Sequence, residues 1–371
     1  MKKTKTSIII ALLFLLMCLN VPYKAYAAAY DGNGTKLDAS LYWYGKDNLA
    51  EKFIAGQSNS YFDPKKPTVI YIHGWQKDST TKLYRESFNP SEMDSDYGED
   101  VNSADYWVNK GWNIGIFYWN QFSDESELKD AEAKIWTSSG PKGMRWRKAD
   151  GTYETKNVIT ISAAQLFVDT YKQAMNDFSG SEIRLVGHSL GGQMVINGSK
   201  LINDEVDKGN MSSKLLPNRV ALLDPFWSKN AKSYLGNKWT GEVSRSYVTA
   251  LKNKGVVFEQ YKTSNINDLL IGDSNDGMKK LTDFTDIYPD FILDLNQSSK
   301  HRYARDWYFY SFGFDAPKET KDNQATGSVA SSASTSTSRE ATMMNSNYYW
   351  AQSYGKDTYT PSDDTFNITS R

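Results

Sequence analysis

Ile183-Arg-Leu-Val-Gly-His-Ser-Leu-Gly-Gly-Gln-Met-Val-Ile196 is the stretch that decides the fold. Its first four residues form a short apolar run of the kind a buried strand uses. The chain from Leu190 to Asp204 reads as a helix. Between them, Gly187-His-Ser-Leu-Gly191 matches the pattern G-x-S-x-G. A strand that turns directly into a helix leaves no room for a Cβ beside the bend, so Gly187 and Gly191 flank it. The central residue, Ser189, then projects from the sheet at a helix N-terminus. Free N–H groups and the helix dipole favour an oxyanion there. Ser189 is therefore the candidate nucleophile.

Outward from this bend the same alternation repeats. Strands are expected at 68–73, 112–119, 183–186, 219–223 and 256–261, with helices at 158–178 and after Ser189. This order predicts an α/β fold with a mostly parallel central sheet and helices on both faces. Two long stretches interrupt it. Residues 122–157 carry Trp136, Met144 and Trp146 beside Lys142, Arg145, Arg147 and Lys148; residues 264–300 carry Leu269, Leu270, Ile271, Phe284 and Ile287. Insertions of such length in a compact domain read as lids or binding loops.

A serine hydroxyl needs a base, and the chain has only three histidines. His188 adjoins the nucleophile in the bend, so its ring points away from the hydroxyl. His73 ends the first buried strand, before Gly74-Trp75. His301 remains, downstream of every candidate acid, which gives the order Ser, acid, His. Asp224 follows the strand 219–223 at its C-terminal end, where ligands and catalytic groups gather in open α/β sheets. Asp268 and Asp273, after the next strand, are rival acids. The oxyanion donors are expected to be the backbone amides of Leu190 and Trp75.

At these residues the sequence resembles the pancreatic lipase family of α/β-hydrolases. The similarity rests on four ordered motifs: Ser58 to Trp75, Gly187 to Gly191, Ala221-Leu-Leu-Asp-Pro225, and His301-Arg-Tyr-Ala-Arg-Asp-Trp-Tyr-Phe-Tyr-Ser311. The resemblance implies the triad Ser189, Asp224 and His301, with oxyanion amides from Trp75 and Leu190. It also implies lipid esters as substrates. The chain departs from the family pattern in a longer gap from Ser189 to Asp224, no disulfides and no C-terminal β-sandwich.

Composition bounds the rest. Lys2, Lys3 and Lys5, an apolar run from Ile8 to Leu19, and Ala25-Tyr-Ala27 form a secretory signal over residues 1–27, so a secreted protein is expected, without a transmembrane segment after cleavage. Cleavage removes the only cysteine, four of the 43 basic residues and none of the 44 acidic ones, leaving a net charge of −5. That balance excludes a basic nucleic-acid footprint, and no cysteine remains for a disulfide or metal site. The catalytic domain is expected to span 28–317. Residues 318–345, rich in Ser and Thr, read as a flexible linker, and 346–371 as a short aromatic and polar tail.

No metal or cofactor is required by this chemistry. Calcium has weak support from Asp273-Ser-Asn-Asp-Gly277, a turn rich in oxygen ligands but without EF-hand spacing. The expected partner is an ester substrate or a lipid–water interface. The first function expected is a lipase or phospholipase A1. A carbohydrate or small-molecule esterase of the same fold is the second, in which the 14% of aromatic residues would stack on sugars. The third is a non-catalytic binding protein on this scaffold.

Overall fold

The computed structural model describes residues 28–266 and 272–371. The stretch expected to be a signal sequence, residues 1–27, and Asp268, Leu269, Leu270 and Ile271 lie outside the described residues. A twelve-stranded sheet runs through the molecule. Its strands are β1 (Ser40–Tyr44), β2 (Ala50–Lys52), β3 (Thr68–Ile72), β4 (Asn113–Tyr118), β7 (Ile183–His188), β8 (Arg219–Leu223), β9 (Val257–Lys262), β10 (Asp283–Asp286), β11 (Lys318–Lys321), β12 (Gln324–Val329), β13 (Tyr348–Tyr354) and β14 (Thr365–Ser370). The short strands β5 (Trp146–Arg147) and β6 (Tyr153–Glu154) form a separate hairpin. The sheet order is β12-β11-β14-β13-β10-β9-β8-β7-β3-β4-β1-β2. The seven strands from β4 across to β13 are mutually parallel.

Alternation along the strands divides the core in two. Ile70, Ile72, Leu185, Val220 and Leu222 face the helices Ala163–Ala174, Leu190–Asp207 and Thr240–Lys252. Val69, Tyr71, Val186, Ala221 and Leu223 face the helices Ala104–Asn109 and Gln297–Ser311. Helices on both faces of a mostly parallel sheet make the α/β architecture that the sequence predicted. The aromatic residues serve this core: Trp107 stacks on Phe312 at 3.7 Å, and Phe309 packs edge-on against Tyr71 at 5.3 Å.

Three expectations are corrected. Residues 318–345 are not a flexible linker: they form β11, β12 and the helix Thr337–Met344. The hydroxyls that make a sequence look unstructured find buried partners here. Ser331 bonds Tyr261 and Glu340, Thr335 bonds the Ala330 carbonyl, and Ser336 caps the helix through the Arg339 amide. Residues 346–371 are not a tail either, because β13 continues the parallel sheet beyond β10 and β14 pairs with it.

The stretch 122–157 is not a lid of free cations. Glu125 is buried with Lys134 at 2.7 Å and Arg145 at 2.5 Å, Arg145 and Arg147 lie over the Tyr153 ring, and Met144 and Trp146 join the core. Burial drops the Lys134 ammonium to about 8. In 264–300, Phe284 and Ile287 are likewise buried, Phe284 within β10.

Candidate active site

Strand β7 delivers Ser189 into the helix Leu190–Asp207 with no intervening residue. Ser189 stands at φ 56° and ψ −124°, a conformation that non-glycine residues rarely adopt. Three bonds hold it there: its amide donates to the Leu223 carbonyl at 3.0 Å, and its carbonyl accepts from Gly192 N–H at 3.0 Å and from Phe226 N–H at 3.2 Å. The glycines meet the steric demand that the sequence implied. A Cβ at Gly187 would lie 2.2 Å from the Gly191 carbonyl oxygen, and one at Gly191 would lie 2.1 Å from that of Ile72. Gly192, which the sequence pattern passed over, is needed too, because its Cβ would lie 2.9 Å from Pro225.

Asp224 closes β8, beside the bend, with φ 39°. Its amide donates to the Tyr261 carbonyl at 2.8 Å, and its carboxylate is fully buried. His301 sits in the first turns of the helix Gln297–Ser311, whose N-cap Asn296 accepts from Ser299 N–H. The His301 Nδ1 lies 2.7 Å from Asp224 Oδ2. That oxygen also accepts from the Ser264 hydroxyl.

Of the rival acids, Asp273 is occupied elsewhere: its amide donates to the Trp227 carbonyl and its Oδ1 accepts from Asn275 N–H. Asp268 lies outside the described residues. Among the described residues, no group of three or more histidine, cysteine or acidic side chains could hold a metal ion.

Ser189, His188 and His301 line one cavity of about 1350 Å³ together with Gly74 and Trp75. The Ser189 hydroxyl makes no hydrogen bond among the described residues. Trp75, Leu128, Phe226 and Ile266 contribute apolar lining, and Lys77, Glu86, Glu92 and Arg302 contribute polar lining. Of the polar residues, Lys77, Glu86 and Glu92 come from the long stretch after β3, which the sequence reading did not single out, and Arg302 from the helix of His301.

The start of the loop after β3 is fixed by His73 and its neighbours. His73 is fully buried. Its Nε2 accepts from Trp119 N–H at 3.1 Å, so Nδ1 carries the proton and donates to the Gly74 carbonyl at 2.9 Å. The N–H of a trans peptide points opposite its C=O, so this bond turns the Trp75 amide away from the His73 ring. Among the described residues, the Trp75 amide donates to nothing. Leu190, the first residue of its helix, has no acceptor one turn behind it.

His188 Nε2 donates to the His301 carbonyl at 2.9 Å, and the two rings lie 4.4 Å apart. Burial, then the adjacent His301, holds His188 well below the usual histidine range, so it stays neutral. Its ring bonds the His301 carbonyl and so serves as a prop for that residue, a role no local sequence signal carried.

The chain is an α/β-hydrolase in fold. Neither a protein-family model nor a curated protein sequence matches it. Among solved structures, it is similar to a lipase-esterase related protein from Clostridium acetobutylicum ATCC 824, with 11% identity, 60% of this chain and 85% of that chain covered, and a TM-score of 0.29. It is similar to ESTFA in an iron-lacking apo form, with 12% identity, coverage of 82% and 91%, and a TM-score of 0.29. A membrane phospholipase A described as a bacterial virulence factor gives 12% identity, coverage of 67% and 63%, and a TM-score of 0.24. Likenesses this distant say nothing about substrate. Among the described residues, no helix is long and apolar enough to cross a membrane.

Proposed function

We propose that the chain is a secreted serine carboxylic-ester hydrolase acting on lipid esters, as a triacylglycerol lipase or phospholipase A1 related to the pancreatic lipase family. The observation that carries this reading is the His301–Asp224 contact of 2.7 Å, on the cavity that also receives Ser189 from its strained bend. In the proposed reaction, His301 Nε2 takes the Ser189 proton while Oγ attacks the ester carbonyl. The resulting oxyanion is met by the Trp75 and Leu190 amides. Collapse expels the alcohol, protonated by His301, and leaves an acyl-enzyme. A water, deprotonated by the same ring, then releases the acid. Asp224 holds the ring's tautomer and supports its imidazolium form.

The lipid assignment is supported by the apolar lining of the cavity and by two exposed leucines just before the His301 helix. Leu293 is 70% exposed and Leu295 fully so, positions suited to a lipid–water interface. Secretion is supported by the signal pattern of residues 1–27. The proposed chemistry asks for no cofactor, and calcium would enter only as a structural ion. The polar lining from Glu86, Glu92 and Arg302 favours a second reading, an esterase acting on a polar or sugar ester.

A hydrolysis panel of triglycerides, phospholipids and acetylated sugars separates the two. The expected result is turnover of long-chain lipid esters that Ser189→Ala reduces by at least about a thousand-fold. Turnover confined to acetylated sugars would transfer the assignment to the second reading. Unchanged turnover in Ser189→Ala would end both.

A further inference from the structure

The loop that carries Trp75 has almost no regular structure from His73 to Glu86 apart from turns, yet its position decides where the oxyanion amide points. Most anchors of its first half, His73 to Thr80, come from one short segment, the turn after β4 at residues 119–125, whereas Tyr84, Arg85 and Glu86 are held by Tyr30, Asp38, Tyr71, Tyr118 and Arg305. Trp119 donates its backbone N–H to His73 Nε2 and its indole N–H to the His73 carbonyl, the latter at 2.7 Å. Asn120 donates to the Gln76 side chain. The Glu125 carbonyl accepts the Trp75 indole N–H at 2.7 Å.

Asp124 joins the loop at two points. Its Oδ1 accepts from Asp78 N–H at 2.8 Å and its Oδ2 from Thr80 N–H at 3.0 Å. The residue is buried, with 1% of its surface exposed. A carboxylate that accepts two backbone amides in a buried setting is a strong, directional clamp. Asp78 needs one, because it stands at φ 62°, a left-handed conformation that a free loop would abandon.

We infer that Asp124 is a positioning residue for the oxyanion hole, fixing the loop 75–80 so that the Trp75 amide faces the Ser189 hydroxyl. This rests on the reading of the site as a serine ester hydrolase with Trp75 as a donor. Asp124 bonds neither nucleophile nor base; its carboxylate bonds the loop alone, while its backbone bonds Asn120 and the Tyr153 hydroxyl. A preorganised donor is worth most when it does not have to be reoriented during the reaction. Loosening the clamp therefore weakens binding of the tetrahedral adduct more than binding of the ground-state ester.

The test compares wild type with Asp124→Asn, which preserves volume but puts an N–H donor where one amide needs an acceptor. Asp124→Ser, which keeps a single acceptor, decides the matter if the first variant fails to fold. Three quantities are read: kcat and KM for a soluble short-chain ester, the pH profile of kcat/KM, and inhibition by an alkyl boronic acid that forms an anionic tetrahedral adduct on Ser189. The expected result is a ten- to hundredfold fall in kcat, a comparable loss of boronate affinity, a KM within about threefold, and an unmoved pH profile.

A merely structural role would leave boronate affinity and kcat of the folded fraction intact, and that outcome overturns the inference. A shifted pH profile overturns it too, by moving the effect to His301. Failure of the underlying reading looks different: wild type itself would then neither turn over ester nor bind boronate.

Discussion

Single atoms decide this site. A Cβ placed on Gly74 would lie 2.7 Å from Ser189 Cβ and 3.1 Å from its hydroxyl oxygen. The Cβ cannot yield, since the Ser189 backbone is pinned by bonds to Leu223, Gly192 and Phe226. Gly74→Ala is therefore expected to fold, because it sits on a loop, but to lose about a hundredfold or more in kcat/KM as the oxyanion loop backs away. Ester kinetics with a thermal melt check this, and near-normal turnover would mean that the Trp75 amide does not serve the reaction. At this scale the sequence was most legible for Ser189, Asp224 and His301, because each stands at a punctuated end of a strand or at the head of a helix. Ser264 and Asp124 were not legible. Their partners lie about 40 residues away or more, and only the approach of β9 to β8, and of the turn after β4 to the loop after β3, brings them together.

Among elements, strand β8 joins the half of the sheet that carries Ser189 to its C-terminal extension through one side chain. Arg219 is fully buried; its guanidinium bonds Glu259 on β9 at 2.7 Å, the carbonyls of Ser332 and Thr335 at 2.7 and 2.6 Å, and Glu340 at 3.1 Å. Burial raises the Glu340 carboxyl above its usual range and lifts Asp283, on β10, to about 6. Arg219 is thus the cation that allows several carboxyl groups to share the interior. Removing one member of a buried ionic network leaves the others uncompensated. Arg219→Met is expected to cost about 3–5 kcal/mol in urea unfolding, and a change under about 1 kcal/mol would show that the acids neutralise themselves by protonation. The strands β3, β4, β7, β8 and β9 were read from sequence within about two residues, since apolar runs between turns mark buried parallel strands. The strands β11 to β14 escaped that test: β12 is a run of small and polar residues, Gln-Ala-Thr-Gly-Ser-Val, with little apolar signal.

For the whole molecule, the C-terminal strands act as a buttress behind the histidine. Trp307, on the helix that carries His301, donates its indole N–H to Asp364 Oδ2 at 2.6 Å, and Gln352 donates to Asp364 Oδ1 at 2.9 Å. Tyr303 on the same helix bonds the Tyr359 carbonyl at 3.0 Å. Two donors favour a charged Asp364, but its burial outweighs them and raises the carboxyl to about 7. The folded protein thus holds this proton more tightly than the unfolded chain, where an aspartate titrates near 4. The stabilisation is complete below that lower value and is lost as pH climbs toward about 7. Asp364→Asn has no such proton to lose, although it gives up one acceptor. Wild type should therefore lose stability relative to the variant between about pH 4 and 7, by on the order of a few kcal/mol, and the difference should stay level above that window. Urea midpoints of both proteins at pH 4.5, 6 and 8 read this directly. Parallel curves across the three would mean that Asp364 is ionised in the folded state at acidic pH, and that water rather than the described donors solvates it.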